Sequence, residues 1–190
     1  MRLRLALILS ANLVLLQGCA PLLVAGSAAG GVAAHDRRSL GSLVDDSAIG
    51  LRAAGLIDAN DGVKQQVHIN VTSVNGIVLL TGEATTAELH ERVLNDLKTI
   101  SGIRSITDEI RIAPPSSVGE RTGDTWLTTK VKARLLNTKN LDSSRVKVVT
   151  ENKAVYLLGL VKQQEGDLAT EATRTIDGVE RVVKLFEYID

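Results

Sequence analysis

Few side chains in this 190-residue sequence are of types that do chemistry, and their spacing brings few of them together. Cys19 is the one thiol, so no disulfide or multi-thiolate zinc site can form within the chain. His35, His68 and His90 show no ligand spacing and read as loop or surface residues. No serine stands in a Gly-x-Ser-x-Gly elbow, no metal-ligand cluster appears, and the glycines from Gly26 to Gly31 lack the Lys-Ser/Thr ending of a phosphate loop. Asp45-Asp46 reads as a helix start, and Glu83, Asp108 and Glu109 fall where strand alternation points to solvent. The expectation is a non-catalytic protein without cofactor, metal or small-molecule substrate. The residues that do form a pattern share one segment, Asp124 to Asn140. At 100° per residue, Leu127, Val131 and Leu135 fall within an arc of about 80°, a core-facing stripe. Trp126, Thr129, Ala133 and Leu136 form a second strip almost opposite, flanked by Lys130 and Lys132, with Arg134 and Lys139 nearby. The segment carries four cations against one aspartate, a net of +3.

The elements that position these residues begin with a targeting signal. Arg2 and Arg4 precede an uncharged run from Leu5 to Leu16, which with a small residue ahead of a cut site reads as a signal peptide over residues 1–18. Twelve apolar residues are too few for a membrane span, which needs about 20. Leu16-Gln17-Gly18-Cys19 resembles the bacterial lipobox; the resemblance implies cleavage before Cys19 and acylation of its sulfur and new amino terminus. Ala20 follows the cysteine rather than an aspartate, which by the same likeness implies the outer membrane, facing the periplasm. Residues 19–44, rich in Ala, Gly and Ser, read as a flexible tether with a reach of about 25–30 Å. Without Arg2 and Arg4 the chain carries 20 basic and 22 acidic side chains, a net of −2, and nucleic acid is not an expected partner.

The remainder repeats itself. Ile69–Glu88 aligns with Val146–Glu165 at an offset of 77, with six of 20 positions identical, among them Val71/Val148, Asn75/Asn152, Leu80/Leu157 and Gly82/Gly159. Asp46 matches Asp124 at 78, and Gly102 matches Gly178 at 76. The expected organisation is a first module over residues 45–112, a linker over 113–122 containing two of the three prolines, and a second module over 123–190. Each copy reads as a helix capped by Asp45/Asp46 or Asp124/Thr125, a hairpin turning at Asn75-Gly76 or Asn152-Lys153, a second helix stopped by Gly102 or Gly178, and a last strand. The fold class is therefore α+β: two tandem αββαβ modules, each a three-stranded mixed sheet covered by two helices. Phe186, Tyr156 and Tyr188 read as core or module-interface residues.

A small two-layer module buries one face of each helix, so the Trp126–Leu136 strip should stay exposed. Such a patch signals contact without naming the partner, membrane or protein. An indole and a leucine between lysines suit a bilayer interface, where each cation near an anionic surface contributes about 1 kcal/mol. Residues 45–112 hold 6 basic and 10 acidic side chains, and residues 120–190 hold 12 and 11. Ala48 takes the place of the tryptophan in the first copy, so the second module alone is expected to touch lipid.

The V-x-x-x-N-G-x-V-x-L-x-G hairpin of Val71–Gly82, the Asp-Asp/Asp-Thr pairs and the Ile100-Ser101-Gly102-Ile103 entry to the last strand resemble the BON domain, named from osmotically induced and nodulation proteins. With the lipobox, the tether, Arg38-Ser39-Leu40-Gly41 and Asp124-Thr125-Trp126, the chain is similar throughout to dual BON-domain outer-membrane lipoproteins. The resemblance implies anionic phospholipid binding, support of envelope integrity and no catalysis. Taken with the strip on the Asp124–Asn140 helix, it makes Trp126, Thr129, Lys130, Lys132, Ala133, Arg134 and Leu136 the expected lipid-contact set beside lipidated Cys19. The alternative is a periplasmic adaptor whose strip meets a protein of outer-membrane assembly or cell-wall hydrolase control.

Overall fold

Asn75-Gly76 and Asn152-Lys153 both form two-residue turns with positive φ at each position, 52° and 75° in the first and 49° and 61° in the second. This is the turn whose twist matches that of the strands it joins. Lys153 adopts it although lysine lacks the freedom of Gly76, because its backbone amide is held by a carboxylate described below. Around these turns a computed structural model describes residues 36–59 and 65–190; Cys19, the leader, His35 and the tether up to residue 35 lie outside the described residues.

The first module contains α1 (Leu40–Asp58), β1 (Val67–Val74), β2 (Ile77–Ala84), α2 (Ala87–Lys98) and β3 (Ser105–Ile112). The second contains α3 (Val118–Leu136), a 3-10 turn (Ser143–Arg145), β4 (Lys147–Glu151), β5 (Ala154–Lys162), α4 (Gln163–Arg174) and β6 (Arg181–Ile189). In each, the hairpin strands pair antiparallel and the last strand joins the middle one in parallel, giving the orders β1-β2-β3 and β4-β5-β6. The expected mixed three-stranded sheets are present in both copies.

The helix starts differ from expectation. α1 begins under Ser39, whose hydroxyl accepts from the Ser42 amide at 3.0 Å, and α3 begins under Ser117, which forms a capping box with Glu120. The caps thus sit nearly two turns ahead of Asp46 and Asp124, and residues 40–44 of the expected tether and 118–122 of the expected linker are helical. Serine caps as well as aspartate does, and composition alone hides a helix rich in Gly and Ser. The later helices are C-capped by Thr99 and Thr175, three residues before Gly102 and Gly178.

Alternation along the middle strands sets the layering. Val78 and Leu80 turn toward α1 and α2, joining Ile49, Ala53, Val93 and Leu97, while Leu79 points the other way. Val155 and Leu157 pack under α3 and α4 with Leu127, Val131 and Leu135. Tyr156 and Leu158 turn outward, and there they meet Val74 and Leu79 of the first module. The two sheets therefore lie face to face around a third core, with each module's helices outermost: four layers, α/β/β/α. Middle strands buried on both faces explain the unbroken apolar runs IVLL and AVYLLGLV.

Polar groups ring this central core. Asn75 and Arg104 reach Glu187, Asn152 donates to Glu83 at 2.9 Å, and Arg181 pairs with Glu109 at 2.5 Å beside the Tyr156 hydroxyl. Tyr156 is an interface residue as expected, whereas Tyr188 is 41% exposed and leans on Phe186 with ring centroids 6.0 Å apart.

Candidate functional site

The outward face of α3 carries the strip expected from the sequence. Leu127, Val131 and Leu135 are buried, which turns Trp126, Thr129, Ala133 and Leu136 to solvent. Trp126 is 65% and Leu136 74% exposed, an unusual state for an indole and a leucine in a folded protein. Ten residues at 1.5 Å each separate them by about 15 Å along the helix. The Thr129 hydroxyl donates to the Thr125 carbonyl at 3.0 Å.

The cations are placed unevenly. Lys132 and Arg134 are exposed, while Lys130 is half-buried, its ammonium donating to the Asp177 carbonyl at 2.7 Å. Lys130 and Trp126 border a cavity of about 370 Å³, closed by Arg111 from β3, Lys153 from the hairpin turn, and Glu180. Arg111 and Lys153 are already paired there, with Glu83 and Glu180.

Two features escaped the sequence reading. α1 bears its own outward apolar strip, with Leu40 and Val44 exposed and Leu51 77% exposed. It lies on the opposite outer layer from the α3 strip and differs in charge. Leu40–Asp58 holds one cation and three carboxylates, Val118–Leu136 four cations and two. The helical spacing that places Ile49 and Ala53 inward is its signal in the sequence, but Ala48 at the tryptophan's equivalent position leaves the strip without an aromatic residue to mark it.

The second feature is a set of buried carboxylates. Asp46 does not start a helix; it accepts from the Asn75 and Gly76 amides at 2.7 and 2.9 Å, from the Ser73 hydroxyl at 2.6 Å and from Arg38 at 2.9 Å. Asp124 accepts from the Asn152 and Lys153 amides at 2.8 and 2.9 Å. Burial opposes ionisation of Asp46, but the turn amides, Ser73 and Arg38 together hold its carboxyl below the usual range. Glu83, expected at the solvent, is fully buried in the module interface, where Arg111, Asn152 and the Ser116 amide outweigh its burial and keep its pKa low. Glu151, also buried there, accepts among the described residues from Asn70 at 3.0 Å and Thr81 at 3.3 Å; burial, with Glu83 nearby, pushes its carboxyl up.

These groups cap turns and join sheets. His90 pairs with Asp108 at 2.6 Å on the surface, and no group of three or more metal-binding side chains is found among the described residues. No helix among them is long and apolar enough to cross a membrane.

Two copies of the fold, each with an aspartate on the amides of an Asn-x hairpin turn, agree with the matches to known proteins. The BON domain model matches residues 45–114 and again 123–190. The chain belongs to the BON-domain family. It is 30% identical over 187 residues to "Outer membrane lipoprotein DolP" of Haemophilus influenzae, covering 98% of this chain and 96% of that protein. It is 36% identical over 154 residues to the "21 kDa hemolysin" of Actinobacillus pleuropneumoniae, covering 81% and 79%. It is also 31% identical over 146 residues to "Osmotically-inducible protein Y" of Escherichia coli K12, covering 75% and 72%. None of these three names is that of an enzyme.

Proposed function

We propose that this BON protein is a non-catalytic outer-membrane lipoprotein, tethered through acylated Cys19, that docks on anionic phospholipid through α3 and supports envelope integrity. The observation carrying the reading is the exposed Trp126–Leu136 strip between Lys130, Lys132 and Arg134. A leucine and an indole enter the headgroup boundary while the cations meet phosphate. The similarity to an outer membrane lipoprotein over nearly the whole chain supports the same compartment. An acyl anchor raises the local concentration of the lipid surface, so a weak α3 contact suffices and stays sensitive to lipid composition.

The test is co-sedimentation of residues 20–190 with vesicles with and without phosphatidylglycerol. Wild type binds the anionic vesicles and Trp126→Glu does not. Equal binding by both, or no preference for the anionic lipid, overturns the reading.

A second reading has its own support. The cation-poor strip Leu40, Val44 and Leu51 suits a protein surface better than an anionic bilayer, which favours an adaptor role for the first module. Site-specific crosslinking at position 51 in cells, compared with position 126, separates the two: protein adducts at 51 with lipid adducts at 126 support both.

A further inference from the structure

The two exposed apolar strips match in length and differ in relief. On α1, Leu40, Val44 and Leu51 fall within an arc of about 40° at 100° per residue and span about 16 Å of helix. That is close to the separation of about 15 Å between Trp126 and Leu136 on α3. Ser47, Ala48, Ala54 and Gly55 flank Leu51, and a Cβ added at Gly55 would meet nothing within 4 Å, so the α1 face is low and open. The α3 strip is the converse, an indole and a leucine standing out beside Ala133.

Charge decides which strips go together. Lys132 and Arg134 are exposed beside the α3 strip, and Asp45 and Asp58 are exposed on α1. The imbalance extends to the modules, with 10 acidic and 6 basic side chains in residues 45–112 but 11 and 12 in residues 120–190. Setting α3 against α3 brings cations together, and setting α1 against α1 brings carboxylates together. The unlike pair covers both apolar strips and joins opposite charges. Within one chain that pair cannot form, because the strips lie on opposite outer layers.

We propose that the α1 strip is a docking surface for the α3 strip of a second copy of this chain. Since the strips face opposite ways, the contact is heterologous, and copies add in line rather than close as a symmetric pair. A lone helix-on-helix contact is small and therefore weak and reversible. A bilayer and a neighbouring copy compete for the same α3 strip, so docking on lipid releases the neighbour. The proposal rests on the protein-contact reading of the α1 strip and names its partner; it does not require α3 to bind lipid.

The test is sedimentation equilibrium of residues 20–190 over a range of concentrations. Wild-type mass rises above that of the monomer with concentration and falls back with added salt. Leu51→Glu and Trp126→Glu, both at exposed positions and checked for folding by circular dichroism, each stay monomeric alone. Mixed in equal amounts, they form a complex of twice the monomer mass and no larger, because Leu51→Glu keeps an intact α3 strip and Trp126→Glu an intact α1 strip. Association of either variant alone, or no complex in the mixture, overturns the proposal. Crosslinks from position 51 in cells that contain a second copy of this chain support it. A monomeric wild type whose position 51 crosslinks to a different protein overturns the second copy as partner and leaves the adaptor reading standing.

Discussion

Replacing Asp46 by alanine should cost a large part of the protein's stability, and the size follows from its four donors. Removing the carboxylate leaves the Asn75 and Gly76 amides, the Ser73 hydroxyl and the Arg38 guanidinium. Arg38 keeps Asp36, at 2.6 Å, and a hydroxyl can rotate to another acceptor. The two amides cannot, because the turn fixes them against the underside of α1. At about 1–3 kcal/mol for each buried donor left unpaired, the two amides make Asp46→Ala cost roughly 2–6 kcal/mol. Against a total of about 5–15 kcal/mol this is severe, and for a folded unit of this size it lowers Tm by about 5–25 °C. Asp45→Ala, one residue away and exposed, is the control and stays near wild type. The effect depends on pH in a defined direction. A carboxyl whose folded pKa lies below its unfolded value of about 3.9 contributes fully above that value and loses its contribution as pH falls through the folded one. The gap between wild type and Asp46→Ala therefore holds from pH 7 down to the ordinary carboxylate range and closes only in stronger acid. Thermal melts followed by circular dichroism at a series of pH values measure it. If Asp46→Ala melts with Asp45→Ala at neutral pH, the carboxylate does not hold the turn and the reasoning fails.

Glu151 should behave in the opposite sense: its folded pKa is raised, so wild type gains stability as pH falls from neutral through that value, while Glu151→Gln shows a flatter profile and is no less stable at pH 7. Melting temperature against pH for both proteins checks this, and parallel profiles refute it. Gly82, at φ +114°, would place a Cβ 1.8 Å from the His68 carbonyl oxygen, so Gly82→Ala must separate β1 from β2 and cost more than about 2 kcal/mol; Gly50→Ala, with open space around it inside α1, should stabilise by about 0.5–1 kcal/mol. Urea unfolding of the two variants distinguishes them. Binding to phosphatidylglycerol vesicles should fall steeply with added salt, because Lys132 and Arg134 are exposed and their attraction is screened within about 10 Å at 0.1 M; salt-independent co-sedimentation would leave the apolar strip alone to explain binding.

Much of the fold could be read in advance because both signals that specify it are local. The Asn75-Gly76 turn between alternating strands and the Val93/Leu97/Ile100 stripe fix elements within a few residues of themselves. The 77-residue repeat then confirms each element twice. The exposed strip of α3 was legible for the same reason, since one helix period defines both its faces. What escaped depends on partners distant in sequence. Asp46 and Asp124 look like caps because aspartate serves that purpose locally, whereas their partners lie 27 to 30 residues away. Glu83 alternates with apolar residues as a solvent-facing group does, but the face it occupies is covered by the other module. The repeat carried a hint of the capping role: an aspartate retained at the same distance from two Asn-x turns has more to do than start a helix.

Because Leu79, Tyr156 and Leu158 share one core across the two sheets, neither BON copy has a wettable second side. Severed at residues 113–117, each half would present water with a bare hydrocarbon plane and two edge strands, conditions that invite clumping. The duplication is thus a mutual dependency: each repeat acts as the lid of the other, and a gene retaining only one would encode an unfinished object. Dissection by truncation will accordingly confuse loss of a binding surface with loss of solubility, and single-residue changes on the outer helices are the cleaner instrument.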